Sequence, residues 1–288
     1  MLEIKEEELK KILPSNGPSI DEVKRYLVKY NDEYIVIKCG GSVLIDQILF
    51  DNFIKDIAIL NKLGFIPIIV HGGGKRISNK LNELGIKSNF IKGLRVTDKK
   101  SINIVEEVLT NFNKEITESL KKNTCDSQSI TSKQNNILIV EQENEELGFV
   151  GTPTEINLSI IEQIVEEKKV PVIAPLGLDK NNQVHNINAD AAAAAIAKKL
   201  NARRLIIMSD VEGVLDDNKK LISEINTEKV NDLIKYETIS GGMIPKIKNC
   251  LDVASNGVKG VCIIDGRLDH SMLFELLSNA GSGTLIRE

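Results

Sequence analysis

From Tyr34 onward the apolar residues of this chain fall into two alternating rhythms. Short, nearly continuous β-branched runs stand at Tyr34–Lys38, Phe65–Val70, Ile137–Glu141, Val170–Pro175, Leu205–Ser209 and Val261–Asp265, with a last short one at Thr284–Ile286. Between them the spacing turns helical. Asp51–Leu63 places Phe53, Ile57 and Leu60 on one face, and further helices are predicted over Lys75–Leu84, Lys99–Lys122, Leu158–Lys168, Ala189–Leu200, through Lys246, and over His270–Ser278. Runs that are apolar without alternation are strands buried on both faces, and helices between them supply the cover. The pattern therefore predicts an α/β chain built on one mostly parallel sheet with helices on either side. Ahead of it, Ile20, Val23, Leu27 and Tyr30 recur at helical spacing after Pro18-Ser19, a helix start signal. Residues 1–33 are thus expected to form a helical extension. Its apolar stripe could lie on its own domain or against a partner subunit.

Composition narrows the class. The 288 residues are 42% apolar with mean hydropathy −0.09, which suits a globular chain with a full core. A net charge of −4, an isoelectric point near 5.6 and no long basic run argue against a nucleic-acid surface. No apolar stretch approaches the length that crosses a bilayer, and the acidic N-terminus lacks the apolar core of a signal peptide, so a cytoplasmic location is expected. Cys39, Cys125, Cys250 and Cys262 show no metal-type spacing and read as reduced core thiols.

Several strand ends carry residues suited to anions. Ile68–Val70 runs into His71-Gly72-Gly73-Gly74, and a helix follows. Bare backbone N–H groups and the positive end of that helix would face an anion there, although three glycines can also form an ordinary tight turn. The triplet is not a P-loop, since Gly74-Lys75 has the wrong spacing and no Ser or Thr follows the lysine. About 20 residues on, Gly93-Leu94-Arg95-Val96-Thr97 offers a planar guanidinium fork suited to a carboxylate. The first strand ends Lys38-Cys39-Gly40-Gly41-Ser42, a lysine and two glycines where parallel sheets place their sites. Asn186-Ile187-Asn188-Ala189-Asp190 precedes the alanine-rich helix: Asn188 suits its N-cap and Asp190 its positive end, while Asn186 and Asp190 are also candidates to touch substrate and orient lysines. Ser209-Asp210-Val211-Glu212-Gly213-Val214 turns out of a buried strand and could hold a ribose and base or simply make a turn. Gly242-Met243-Ile244-Pro245-Lys246 sets a lysine in the first turn of a helix, where it does not help the helix dipole and an anionic ligand would explain it.

In this order, these motifs resemble the amino acid kinase family, and within it the branch that phosphorylates acetylglutamate, to which Gly93-Leu94-Arg95-Val96-Thr97 points. The resemblance spans Tyr34 to Ile286. It implies an open αβα sandwich, with an acyl-acceptor half at about residues 34–180 and an ATP-binding half at about 181–288. It also implies transfer of the ATP γ-phosphoryl group to the side-chain carboxylate of N-acetyl-L-glutamate in arginine biosynthesis, with Mg²⁺ on the ATP phosphates. By the same resemblance Lys38 and Lys246 would flank the phosphoryl group in flight, and Asp190 would hold both ammonium groups. Gly41, Gly72 and Gly73 would donate backbone N–H groups, and Arg95 and Asn186 would bind the acceptor. Gly40, Gly41, Ser209, Asp210, Val211, Gly213, Val214, Gly242 and Met243 would line the nucleotide. A carboxylate acceptor is already ionised at neutral pH, so no general base is required.

The arginine-sensitive members of this family tie homodimers into a hexameric ring through an N-terminal helix, and the chain has a helix in that place. His270, Glu275 and Gly281 fall in the segment that would take L-arginine. Two departures stand out: Asn111 replaces a common glycine, and residues 124–134 replace a Gly-Lys-Asp segment. The alternatives are a kinase of a related dicarboxylate such as aminoadipate, or a non-catalytic arginine sensor. Retention of both lysines and Asp190 speaks against the sensor.

Overall fold

The computed structural model describes residues 4–239 and 243–288. The chain opens with helices α1 (Glu6–Ile12) and α2 (Ile20–Tyr30), then β1 (Tyr34–Cys39), a single 3-10 turn (Gly41–Leu44), α3 (Gln47–Lys62), β2 (Ile66–His71) and α4 (Gly74–Glu83). A hairpin of β3 (Phe90–Ile91) and β4 (Leu94–Arg95) precedes α5 (Ser101–Lys122). Next come β5 (Ser127–Ile130), β6 (Leu138–Gln142), β7 (Gly151–Ile156), α6 (Leu158–Glu166), β8 (Val170–Ile173), β9 (Leu176–Leu178) and β10 (Val184–Asn186). The remainder is α7 (Ala189–Lys199), β11 (Arg204–Ser209), β12 (Glu224–Ile225), α8 (Thr227–Lys235), α9 (Met243–Ser255), β13 (Val261–Asp265), α10 (Ser271–Leu277) and β14 (Gly283–Ile286).

Among the described residues the central sheet has eight strands in the order β12-β14-β13-β11-β1-β2-β8-β5, and β13–β14 is its one antiparallel pairing. Successive residues of its inner strands feed two separate cores. Val36, Val70, Ile207 and Ile263 face the layer of α6, α7 and α9, while Ile37, Ile69, Ile206 and Ile264 face the layer of α2, α3 and α10. This two-sided burial is why the strands read as unbroken apolar runs. The αβα sandwich expected from the sequence is the observed fold.

Three expectations need correction. The Ile137–Glu141 run is a strand, but β6 belongs to a separate four-stranded sheet, β10-β9-β6-β7, whose pairings are mostly antiparallel. Helix α3 starts at Gln47 instead of Asp51, because the Asp46 carboxylate caps it by accepting from Ile48 N at 2.9 Å and Leu49 N at 3.1 Å. The expected helix through Lys246 is α9, but a separate helix that the pattern did not predict, α8, precedes it. All four cysteines are buried free thiols, as read. Of the two departures, Asn111 lies exposed on α5, and residues 124–134 contain β5, the outer strand beside β8.

The extension lies on its own chain. A Ser19–Glu22 capping box starts α2, and Val23 and Tyr30 are buried beneath it, Tyr30 stacking on Phe65 at 5.5 Å between centroids. Asn279 N donates to Glu22 at 3.1 Å, tying α2 to the segment after α10.

Candidate active site

The carboxyl ends of β1, β2 and β11 share one edge of the sheet, with Lys38 beside Val70 and Ile207. Lys38 Nζ lies 2.9 Å from Asp190 Oδ1. Asp190 is fixed in turn by its place in the first turn of α7, which the Asn188 side chain caps by accepting from Asp190 N and Ala191 N at 2.9 and 3.0 Å. The turn that Asn188 caps thus presents the Asp190 carboxylate to Lys38. Only one of the two expected lysines pairs with Asp190, since Lys246 makes no ion pair among the described residues. Lys246 does enter the same electrostatic neighbourhood from the first turn of α9. Burial pushes its ammonium below the ordinary lysine range, Asp190 opposes that, and Lys38 adds to it.

The β1 turn is shaped for close approach. Gly41 sits at φ +65°, and a Cβ there would run into the Asp210 carboxylate. That carboxylate accepts from Ser42 N at 2.7 Å and pairs with Lys75 Nζ at 3.3 Å. Asp210 therefore holds the Gly40–Gly41 turn against β11, and Lys75, which the motifs did not single out, joins the site.

At the end of β2 the triple glycine divides its work. Gly72 N donates to Cys39 O at 2.7 Å, so its N–H is spent inside the sheet and is no anion donor. This corrects the role expected for Gly72. Gly73 is the N-cap of α4, so its own N–H and those of the first turn are the ones left for a ligand, and Gly74 has nothing within 4 Å of where a Cβ would stand.

Arg95 is the most informative side chain. It is 7% exposed, donates to Ser88 Oγ at 2.6 Å, Gly74 O at 2.8 Å and Ser78 Oγ at 2.8 Å, and lies over the Phe90 ring at 4.7 Å. None of these partners is anionic. A buried guanidinium ordinarily meets a carboxylate or phosphate, so this one is arranged for a charge that the described residues do not supply. Burial holds it below its ordinary pKa range. Asn186, at the end of β10, donates to Thr97 Oγ1 at 3.3 Å, two residues after Arg95.

Lys38, Gly41, Gly73, Arg95, Asn186 and Asp190 line one cleft of about 280 Å³, together with Gly40, Gly72 and Lys75. The nucleotide candidates are placed differently. Ser209 ends β11 with its hydroxyl buried and without a partner among the described residues, and Val211 is exposed next to it. Val214 is fully buried and its N–H donates to Thr284 Oγ1 at 2.8 Å, while Gly213, at φ +140°, leaves room for that same threonine. Those two residues anchor the turn to β14. Met243 begins α9 and packs on the core. Gly242 lies outside the described residues. Among the described residues no group of three or more His, Cys, Asp or Glu side chains is set to hold a metal, and no helix is long and apolar enough to cross a membrane.

The three residues expected at an arginine site do not share one cavity. Glu275 and Gly281 line a second cavity of about 270 Å³ with Tyr26 and Tyr30 of α2, and Glu275 accepts from Ser282 N at 2.9 Å and Gly283 N at 3.2 Å. His270 is elsewhere. It precedes α10 in a left-handed conformation (φ +54°), which turns its ring to the buried Asp56 at 2.6 Å.

The chain is 67% identical over 288 residues, all of both chains, to the acetylglutamate kinase of Pelagibacter ubique. It is 44% identical to that of Campylobacter fetus over 91% of this chain and 94% of the relative. In fold it matches N-acetylglutamate synthase from Neisseria gonorrhoeae complexed with coenzyme A and N-acetylglutamate, with TM-score 0.84 and 20% identity over 94% of this chain and 64% of that one. Residues 33–265 match the amino acid kinase family, and with a full-length relative this similar, the chain belongs to that family.

Proposed function

We propose that this protein transfers the γ-phosphoryl group of ATP to the side-chain carboxylate of N-acetyl-L-glutamate, forming an acyl phosphate in arginine biosynthesis. The kinase activity is supported by the full-length acetylglutamate kinase relative. The observation that supports an anionic amino-acid acceptor is Arg95, buried in the cleft beside Lys38 and Asp190 with three neutral acceptors.

In this reading residues of about 34–180 hold the acceptor and about 181–288 hold ATP. Arg95 takes a carboxylate of acetylglutamate, and Asn186 offers its amide from the end of β10. The attacking carboxylate oxygen bonds to the γ-phosphorus as the bond to the β-bridging oxygen breaks, and ADP carries that electron pair away. Little covalent work falls to the protein in such a transfer, so positioning and charge neutralisation dominate. Lys38 meets the equatorial oxygens from β1, Lys246 meets them from α9, and Asp190 fixes Lys38. The Gly73 N–H and the α4 dipole face the same charge. Mg²⁺ travels on the ATP phosphates, which suits a site whose carboxylates Asp190 and Asp210 are each engaged by a lysine. A cytoplasmic location follows from that biosynthetic role.

The second cavity supports a regulatory reading, in which L-arginine binds beside Glu275 and Gly281 under α2, and homodimers assemble further through the extension. Since the apolar stripe of α2 is packed on its own chain, truncation would uncover Phe65, and Glu275→Gln is the cleaner test. That variant should lose inhibition by millimolar arginine and keep its uninhibited rate. Wild-type enzyme indifferent to arginine would end this part of the reading. For the catalytic reading, ATP-dependent hydroxamate formation is compared for acetylglutamate, glutamate, aspartate and aminoadipate. Acetylglutamate should be the preferred acceptor, and preference for aminoadipate would move the chain to the alternative substrate.

A further inference from the structure

Behind the triple glycine lies a buried polar chain that the mechanism above does not use. His71 is fully buried at the end of β2, its ring edge-on to Phe112 at 5.0 Å. Its Nδ1 is 2.8 Å from Gly72 O and its Nε2 is 3.2 Å from Asn113 Nδ2. Asn113, fully buried on α5, also donates to Val172 O at 2.9 Å and accepts from Ser129 Oγ at 2.6 Å.

The protonation pattern of this chain follows from its ends. Val172 O can only accept, so the Asn113 amide must present Nδ2 to it and to the imidazole. His71 Nε2 is then the acceptor, and the ring proton sits on Nδ1, where Gly72 O, again an acceptor only, receives it. Burial lowers the imidazole to about 4, so the ring is neutral and keeps this tautomer through the physiological range. The consequence falls on the next peptide. In a trans peptide the C=O and the following N–H point in opposite directions. Pinning Gly72 C=O to a ring buried under the sheet therefore aims the Gly73 N–H outward, into the cleft. The Gly72 N–H is held as well, by Cys39 O at 2.7 Å, so the peptides on both sides of Gly72 are fixed.

We infer that His71 and Asn113 are positioning residues for phosphoryl transfer, acting as a buried relay that orients the Gly72–Gly73 peptide so that the Gly73 N–H meets the charge developing in the cleft. This rests on the kinase reading above. Neither residue touches substrate. Both act through one backbone peptide.

Two measurements test it. The first needs no variant or activity: long-range ¹H–¹⁵N spectra of histidine-labelled wild-type protein, which has only three histidines, report the tautomer of each ring. His71 should be protonated at Nδ1, and an Nε2–H tautomer would overturn the inference outright. The second compares His71→Leu, which removes the donor, with His71→Asn, whose amide can stand near the Nδ1 position. His71→Leu should lower kcat roughly tenfold or more, as expected for misaiming one oxyanion-type donor, with the KM for ATP little changed. His71→Asn should recover most of kcat even though its smaller side chain leaves the larger cavity and the lower Tm. If kcat instead follows Tm, with His71→Asn no better than His71→Leu, the residue only fills the core and the inference fails. Wild-type enzyme giving no hydroxamate from acetylglutamate would fault the kinase reading instead, and the tautomer measurement keeps the two failures apart.

Discussion

Acid should loosen this protein through His71, by an amount the structure sets. The folded-state imidazole is lowered to about 4 from an ordinary 6.5, chiefly by complete burial. The unfolded chain therefore binds a proton near pH 6.5 that the folded protein refuses until about pH 4. The stability that depends on a neutral His71 is fully present above pH 6.5 and is lost as pH falls toward the folded value. Linkage puts the loss at about 1 kcal/mol at pH 6 and about 2 kcal/mol at pH 5, reaching about 3 kcal/mol near pH 4. His71→Asn removes this ionisation. The variant should be less stable than wild type at pH 7.5, where lost packing against Phe112 dominates, and the gap should close as pH falls, by roughly 2 kcal/mol between pH 7.5 and 5. Urea unfolding followed by circular dichroism at pH 7.5, 6 and 5 measures that gap. The other histidines and all carboxylates are common to both proteins and cancel. A gap that stays constant over this range would refute the reasoning, because it would mean that the imidazole titrates alike in the folded and unfolded chains.

Lys38→Ala and Lys246→Ala should each reduce kcat by on the order of a hundredfold, about 3 kcal/mol, with much smaller changes in KM. Steady-state kinetics with near-normal kcat in both would remove them from the transition state. Arg95→Lys should raise the KM for acetylglutamate and leave that for ATP nearly unchanged, because a point charge cannot replace the planar fork. A shift in the ATP constant alone would assign Arg95 to the nucleotide. The Asp56 hydrogen bond raises the His270 pKa, so the stabilising effect of that pair is complete below pH 6.5 and declines as pH rises through the folded value. Asp56→Asn should lower the His270 titration midpoint in NMR, and an unmoved midpoint would break the link.

The inner strands of the central sheet were legible because burial on both faces writes them as β-branched runs, and most of the helices because they keep one apolar face. The polar outer strand Ser127–Ile130 and the two-residue strands of the Phe90–Arg95 hairpin carry neither signal. Leu138–Gln142 could be read as a strand, but its sheet is chosen by tertiary pairing with Gly151–Ile156, beyond the reach of local pattern. In the site, residue types were easier to read than their contacts. The motifs located Lys38, Arg95, Asn186 and Asp190 on the cleft. They could not tell which glycine amide is already spent, since Gly72 loses its N–H to Cys39 only through the register of β1 on β2. Lys75 was not singled out because no P-loop spacing surrounds it, yet a lysine directly after an anion-type glycine turn was itself a signal. His270 and Glu275 were grouped by resemblance to one C-terminal element, and one left-handed residue ahead of α10 sends their side chains to different places.

The central claim is that the side-chain carboxylate of acetylglutamate attacks the γ-phosphorus of ATP. It is tested most directly with acetylglutamate carrying ¹⁸O in that carboxylate alone, incubated with enzyme, Mg-ATP and hydroxylamine. Hydroxylamine takes the acyl carbon of the product and expels phosphate with the oxygen that made the attack. ³¹P NMR should then show inorganic phosphate containing one ¹⁸O, in step with hydroxamate formed. Phosphate without label would mean that water, or another oxygen, is the nucleophile, and would contradict the account.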